Sequence, residues 1–288
     1  MKSNILYVKY TFLAILTFSL LLACKKEPVK VTTSVNEAAG LHRIDSLTKG
    51  NYTFYIYKKD TGKLVLGYNE VYLQLKNNVT GSFIEDASLS WKPLMHMATM
   101  SHSCPSSTIQ KVANTKTLYV GYFIFIMSSD NMSYWEITYN YINGTDTLAK
   151  VTNRPLVINP VGRARYNSFK GSDSSNYFLA LVNPTAPKVG ANVITAYLYK
   201  EVDLFTFTPV TNYTIKIDPR MPDMGNMTSV NNIDLTYNSG IYAGTLNLNM
   251  TGYWKINLVV LNASNAVIAG QAVTETTDAS SVYFEIEF

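Results

Sequence analysis

Two halves of this chain carry the same landmarks in the same order, and that duplication restricts the fold more than composition does. Gly67-Tyr68-Asn69 is answered by Gly190-Ala191-Asn192, Tyr119-x-Gly121-x5-Met127 by Tyr242-x-Gly244-x5-Met250, and Tyr134-Trp135-x-Ile137 by Tyr253-Trp254-x-Ile256. The offset is about 120 residues throughout, so one supersecondary plan is used twice. Within each copy the apolar residues alternate. Tyr119, Gly121, Phe123, Phe125 and Met127 share one strand face, as do Tyr242, Gly244, Leu246, Leu248 and Met250. Behind the second set lie Ala243, Thr245, Asn247 and Asn249, a solvated face. Behind the first lie Val120, Tyr122, Ile124 and Ile126, an apolar face that has to be covered, the other domain being one candidate. Turn residues recur at Thr61-Gly62, Asn78, Asn143-Gly144 and Asn238-Ser239-Gly240. Short alternating strands between such turns predict an all-β chain of two tandem antiparallel β-sandwich domains.

The start of the chain has a different character. Lys2 and Lys9 precede an apolar run from Phe12 to Ala23 that is short for a membrane span. Residues 1–23 therefore read as a lipoprotein signal peptide, because Leu21-Leu22-Ala23-Cys24 resembles the lipobox of bacterial lipoproteins. That resemblance implies lipidation of Cys24, with the membrane as partner through the N-terminal anchor and an extracytoplasmic envelope location, periplasm-facing. Polar residues 24–48 are assigned to a flexible tether reaching roughly 25–30 Å. Residues 49–155 form domain 1, 156–169 a linker punctuated by Pro160, and 170–288 domain 2. The formal net charge is +4 including the leader lysines, and no basic stripe suggests nucleic acid.

Methionine is distributed unevenly. Met1 and Met132 apart, every methionine lies in one of two loops or at the end of a Tyr-x-Gly strand. The first loop, Pro93 to Pro105, holds Met95, His96, Met97, Met100, His102 and Cys104; the second, Pro219 to Ser229, holds Met221, Met224 and Met227. Superposing Met97-x-x-Met100-x-His102 on Met221-x-x-Met224-x-Asn226 aligns the loops with the flanking repeat. Thioether, imidazole and thiolate together suit Cu(I) and not Mg, Ca or Mn. A copper ion is therefore the expected cofactor. Its expected ligands are Met97, Met100, His102, Met127, Met221, Met224 and Met250, with Met95, His96, Cys104 and Met227 as secondary candidates. Packing explains Met127 and Met250 as well as ligation does, since both lie on core faces. Burial alone accounts for Trp135 and Trp254; Tyr119 and Tyr242 are expected to reach backbone groups with their hydroxyls.

These landmarks, clearest from Met221 to Trp254, resemble the YtkA-like (FixH-like) extracytoplasmic domain. The resemblance implies an immunoglobulin-like sandwich, similar to CopC-type copper carriers, and a partner in copper trafficking or oxidase assembly. This chain departs from it at Asn226, where the family often has His.

Enzyme signatures are missing. There is no Gly-x-Ser-x-Gly, His-Glu-x-x-His, P-loop or dinucleotide glycine motif, and Glu85-Asp86 is the one tight acidic pair. Binding is expected rather than catalysis. The expected function is copper handling or delivery at the envelope. The alternative is a non-metal interaction module, for adhesion or assembly, with Met-rich contact loops and the apolar face of Tyr122, Ile124 and Ile126 as a partner surface.

Overall fold

A computed structural model describes residues 36–160 and 162–288, whose regular structure is almost all antiparallel strand. The expected signal peptide, the expected lipidation site Cys24 and the first part of the expected tether lie outside the described residues. The first half contains β1 (His42–Lys49), β2 (Tyr52–Lys58), β3 (Leu64–Val65), β4 (Gly67–Asn77), β5 (Ser88–His96), β6 (Ser101–His102), β7 (Gln110–Lys111), β8 (Tyr119–Phe125), β9 (Tyr134–Asn143), β10 (Asp146–Asn153) and β11 (Val157–Ile158). The second contains β12 (Tyr166–Lys170), β13 (Asn176–Asn183), β14 (Gly190–Asp203), β15 (Thr206–Pro209), β16 (Thr214–Met221), β17 (Met227–Thr228), β18 (Ile233–Asn238), β19 (Ile241–Leu248), β20 (Tyr253–Leu261), β21 (Val267–Gly270) and β22 (Tyr283–Glu287).

In the first half, sheet β1-β2-β4-β8-β7 packs against sheet β10-β9-β5-β6. The inward residues of both form one core around Phe54, Leu75, Phe123, Phe125, Trp135 and Ile137. In the second half all strands join one network, β12-β13-β14-β19-β18-β16-β20-β21, because β18 pairs with both β19 and β16 and ties the two layers together. Its core gathers around Tyr177, Leu246, Leu248, Trp254, Ile256 and Phe284.

The duplicated landmarks do the same structural work in each half. The Nδ2 of Asn69 donates to Val65 O and Gly67 O while its Oδ1 accepts from Val65 N. Asn192 does likewise with Lys188 and Gly190. One buried amide thus brackets the loop entering β4 or β14. The Tyr119 hydroxyl accepts from Ala87 N and donates to Ile84 O; that of Tyr242 accepts from Tyr213 N. The glycines of Tyr-x-Gly mark close approaches. A Cβ on Gly121 would meet Trp91 Cζ2 at 2.5 Å, and one on Gly244 the backbone oxygen of Ile233 at 2.4 Å.

Three expectations need correction. The tether does not extend to residue 48: His42–Lys49 pairs along β2, with Ile44 and Leu47 against the core, and the Glu37 carboxylate accepts from the backbone N–H groups of Lys116 and Thr117. As an edge strand with a solvated outer face, β1 has the polar composition of a tether. Residues 156–169 are not a free linker either. Val157 is fully buried in the first core, Val157–Ile158 pairs in parallel with Leu64–Val65, and β12 begins at Tyr166. Finally, the apolar face behind β8 is no partner surface, because the second half covers it. Ile124 is fully buried beside Phe178 and Ala180, Tyr122 stacks on Tyr197 with centroids 4.4 Å apart, and the hydroxyls of Tyr122 and Tyr199 are 2.7 Å apart.

Candidate soft-metal site

The Met loop of the first half is a β5–β6 hairpin. Met95 lies opposite His102 and His96 opposite Ser101, and Met97 N donates to Met100 O across the turn. Residues opposed across a pair share a face. Met95, Met97 and His102 therefore face the core side, and His96 faces away. There its ring stacks on Tyr134 and its Nε2 lies 3.7 Å from Glu136 Oε1. His96 is accordingly removed from the ligand set.

Met95 is also opposite Trp135 on the neighbouring strand β9. In the second half Arg220 is opposite Lys255, so the next residue, Met221, ends β16 towards Trp254, and Met221 in turn is opposite Met227. The structural equivalents are thus Met95 with Met221 and His102 with Met227. The superposition of Met97 on Met221 is two residues out. Pairing to the Trp strand sets the register, and loops of unequal length had obscured it.

Trp135 and Trp254 do more than fill the core. The indole Nε1 of Trp135 donates to Met127 O at 2.8 Å, and that of Trp254 to Met250 O at 3.1 Å. Each indole so ties the bend that follows a Tyr-x-Gly strand to the Trp strand, since β8 ends at Phe125 and β19 at Leu248. The sequence signal was the repeated Met, gap, Tyr-Trp order, which burial alone does not require.

The environments differ within the set. Met95 is fully buried and Cys104 nearly so, both among apolar side chains of the first core. Burial pushes the Cys104 thiol well above its usual pKa, the setting of an inert thiol rather than a ligand. Both are withdrawn as candidates. Met97 and Met127 are half-buried and pack on that core, while Met100 is 42% exposed. His102 is 7% exposed, edge-on to Trp135, and its Nδ1 lies 2.8 Å from Ser103 O. A carbonyl only accepts, so Nδ1 carries the proton and Nε2 of the neutral ring carries the lone pair. In the second half Met221 is buried with its Cε against Gly252, Met227 is half-buried, and Met224 and Met250 are 54% and 38% exposed. No imidazole stands in that loop; Asn226 points its amide at Asp278 O. Among the described residues no group of three His, Cys, Asp or Glu is placed to hold a metal, so a soft-metal site here would need thioethers among its ligands.

Residues 172–259, from the turn before β13 into β20, match the YtkA-like family model. No curated protein matches the chain. Among solved structures, the Escherichia coli adhesin FdeC is similar over 78% of this chain and 64% of its own, at 18% identity and a TM-score of 0.26. The chain thus spans under two thirds of that protein's length.

Proposed function

We propose that this protein is a lipid-anchored component of a bacterial envelope that binds Cu(I) at the rim of its first sandwich, for copper handling or delivery. Met97, Met100 and His102 Nε2 are the principal ligands, with Met127, just past the end of β8 in the facing sheet, as a further one. The observation that carries the proposal is the commitment of His102 Nδ1 to the Ser103 carbonyl. It leaves the ligating nitrogen as an acceptor within a hairpin that also bears two thioethers. Thioethers have no proton to lose, so the two methionine sulfurs bind independently of pH. Met221, Met224 and Met250 offer a thioether-only second site of lower affinity, with Met227 beside them. The YtkA-like match of residues 172–259 and the FixH-like and CopC-like resemblances fit a copper-trafficking or oxidase-assembly partner. Binding, not catalysis, is the role assigned.

Titrating the full chain with Cu(I) under reducing conditions, against a chromogenic chelator, tests the proposal. The expected result is one site of micromolar or better affinity that weakens at least tenfold in Met97→Leu/Met100→Leu. Absence of binding at micromolar concentrations would refute it.

A second reading is favoured by one observation. Ser103 N donates to Leu204 O at 2.8 Å, so the β14–β15 turn adjoins the Met hairpin, and Val202, Leu204 and Phe205 are exposed there with Met100. Such a rim suits an envelope interaction module. Partner binding through it survives Met→Leu substitution, whereas a metal site does not.

A further inference from the structure

A cavity of about 490 Å³ opens between the two sandwiches, far larger than a single side chain and within the range of small-molecule sites. Lys58, Lys59, Asp60, Val65, Tyr68 and Glu70 line it from the first half; Arg165, Leu181, Val182 and Asn183 line it from the second. The charges on its wall are not evenly matched. Lys58 Nζ lies 3.1 Å from Asp60 Oδ1 and donates to Lys63 O. Lys59 Nζ lies 2.7 Å from Glu70 Oε2, which also accepts from the Tyr72 hydroxyl. Arg165 has no such partner. Its Nη2 donates to Val182 O at 3.0 Å, and among the described residues no carboxylate reaches it. The backbone fixes it in place, since Leu181 N donates to Arg165 O. Desolvation pulls its pKa down, as burial of an unmatched cation does. A guanidinium carries five donors, so most of this fork stays free to engage a ligand.

We infer that this cleft is a binding site for a small organic monocarboxylate, held bidentately by Arg165. The assignment is independent of the copper proposal. The wall holds three cations and two carboxylates, so one negative charge neutralises it, whereas a dianion would be repelled by Asp60 and Glu70. The planar fork matches a carboxylate in geometry. Val65, Leu181 and the Tyr68 ring, itself stacked on Tyr197, supply an apolar wall for the body of the ligand.

Equilibrium dialysis of the full chain against labelled phenylacetate tests this, with phenylacetamide and inorganic phosphate as competitors and Arg165→Gln and Arg165→Lys as variants. The expected result is one saturable equivalent that neither competitor displaces, weakened at least tenfold in Arg165→Gln and at least threefold in Arg165→Lys, which keeps the charge but loses the fork. Should Arg165→Gln fail to fold, the Arg165→Lys comparison decides. No saturable binding by the wild type, unchanged affinity in the folded variants, or displacement by phosphate at equal concentration would overturn the assignment.

Discussion

At the scale of single residues, burial separates sulfur that packs from sulfur that is free to ligate. Met95 and Cys104 sit inside the first core, so Met95→Leu, a near-isosteric change, should cost less than about 1.5 kcal/mol and leave copper binding unchanged. Thermal unfolding with a parallel Cu(I) titration checks both. The native Cys104 thiol should resist a thiol reagent until the protein unfolds; rapid labelling of the folded chain would contradict its placement. Asn69 and Asn192 are the same device used twice, and alanine at either strands buried backbone groups at a cost of about 1–3 kcal/mol by denaturant titration. Asp173 gives a pH signature. Desolvation raises its pKa, but Lys200, Ser175 and Tyr177 outweigh that and hold it at about 2, below the ordinary 3.8. A lowered folded-state pKa contributes stability that is complete above the unfolded value and is lost as pH falls from 3.8 towards 2. Asp173→Asn should therefore flatten the stability-versus-pH curve across that window and weaken the protein above it.

At the scale of elements, alternation made the strands legible and edges made them hard to bound. The Tyr-x-Gly strands, their turns and the two Trp strands all follow from period-two patterning, because each has one face in a core. Strand β1 escaped because only Ile44 and Leu47 pack on the core while most of its other residues face water. The loop register escaped for a different reason: Met97 and Met221 align by eye, yet strand pairing puts Met95 opposite Trp135 as Met221 ends towards Trp254. Sequence spacing does not record which residue a hydrogen-bond ladder opposes. At the glycine of each Tyr-x-Gly strand another element presses close. Gly244→Ala drives Cβ against backbone, which cannot rotate away, and should cost about 1–3 kcal/mol or more. Comparing its denaturation midpoint with that of wild type measures this; a change of only a few tenths would contradict the approach seen at Ile233 O.

For the whole molecule, the pairing of halves through Tyr68, Tyr122, Tyr197 and Tyr199 settles what the apolar face of β8 is for. The sequence showed that this face had to be covered, and could not say by what, since a covering domain and a foreign partner leave the same pattern. The same limit applies to the site. The concentration of Met in two loops was legible; the tautomer of His102, set by Ser103 O, and the Trp ties to Met127 and Met250 needed coordinates. The measurement that bears most directly on the proposed role is the X-ray absorption spectrum of the Cu(I)-loaded chain. The account predicts a first shell of mixed thioether sulfur and one imidazole nitrogen, with the imidazole contribution lost in His102→Gln and the sulfur reduced in Met97→Leu/Met100→Leu. A shell of oxygen and nitrogen alone, or a spectrum unchanged in both variants, would contradict it.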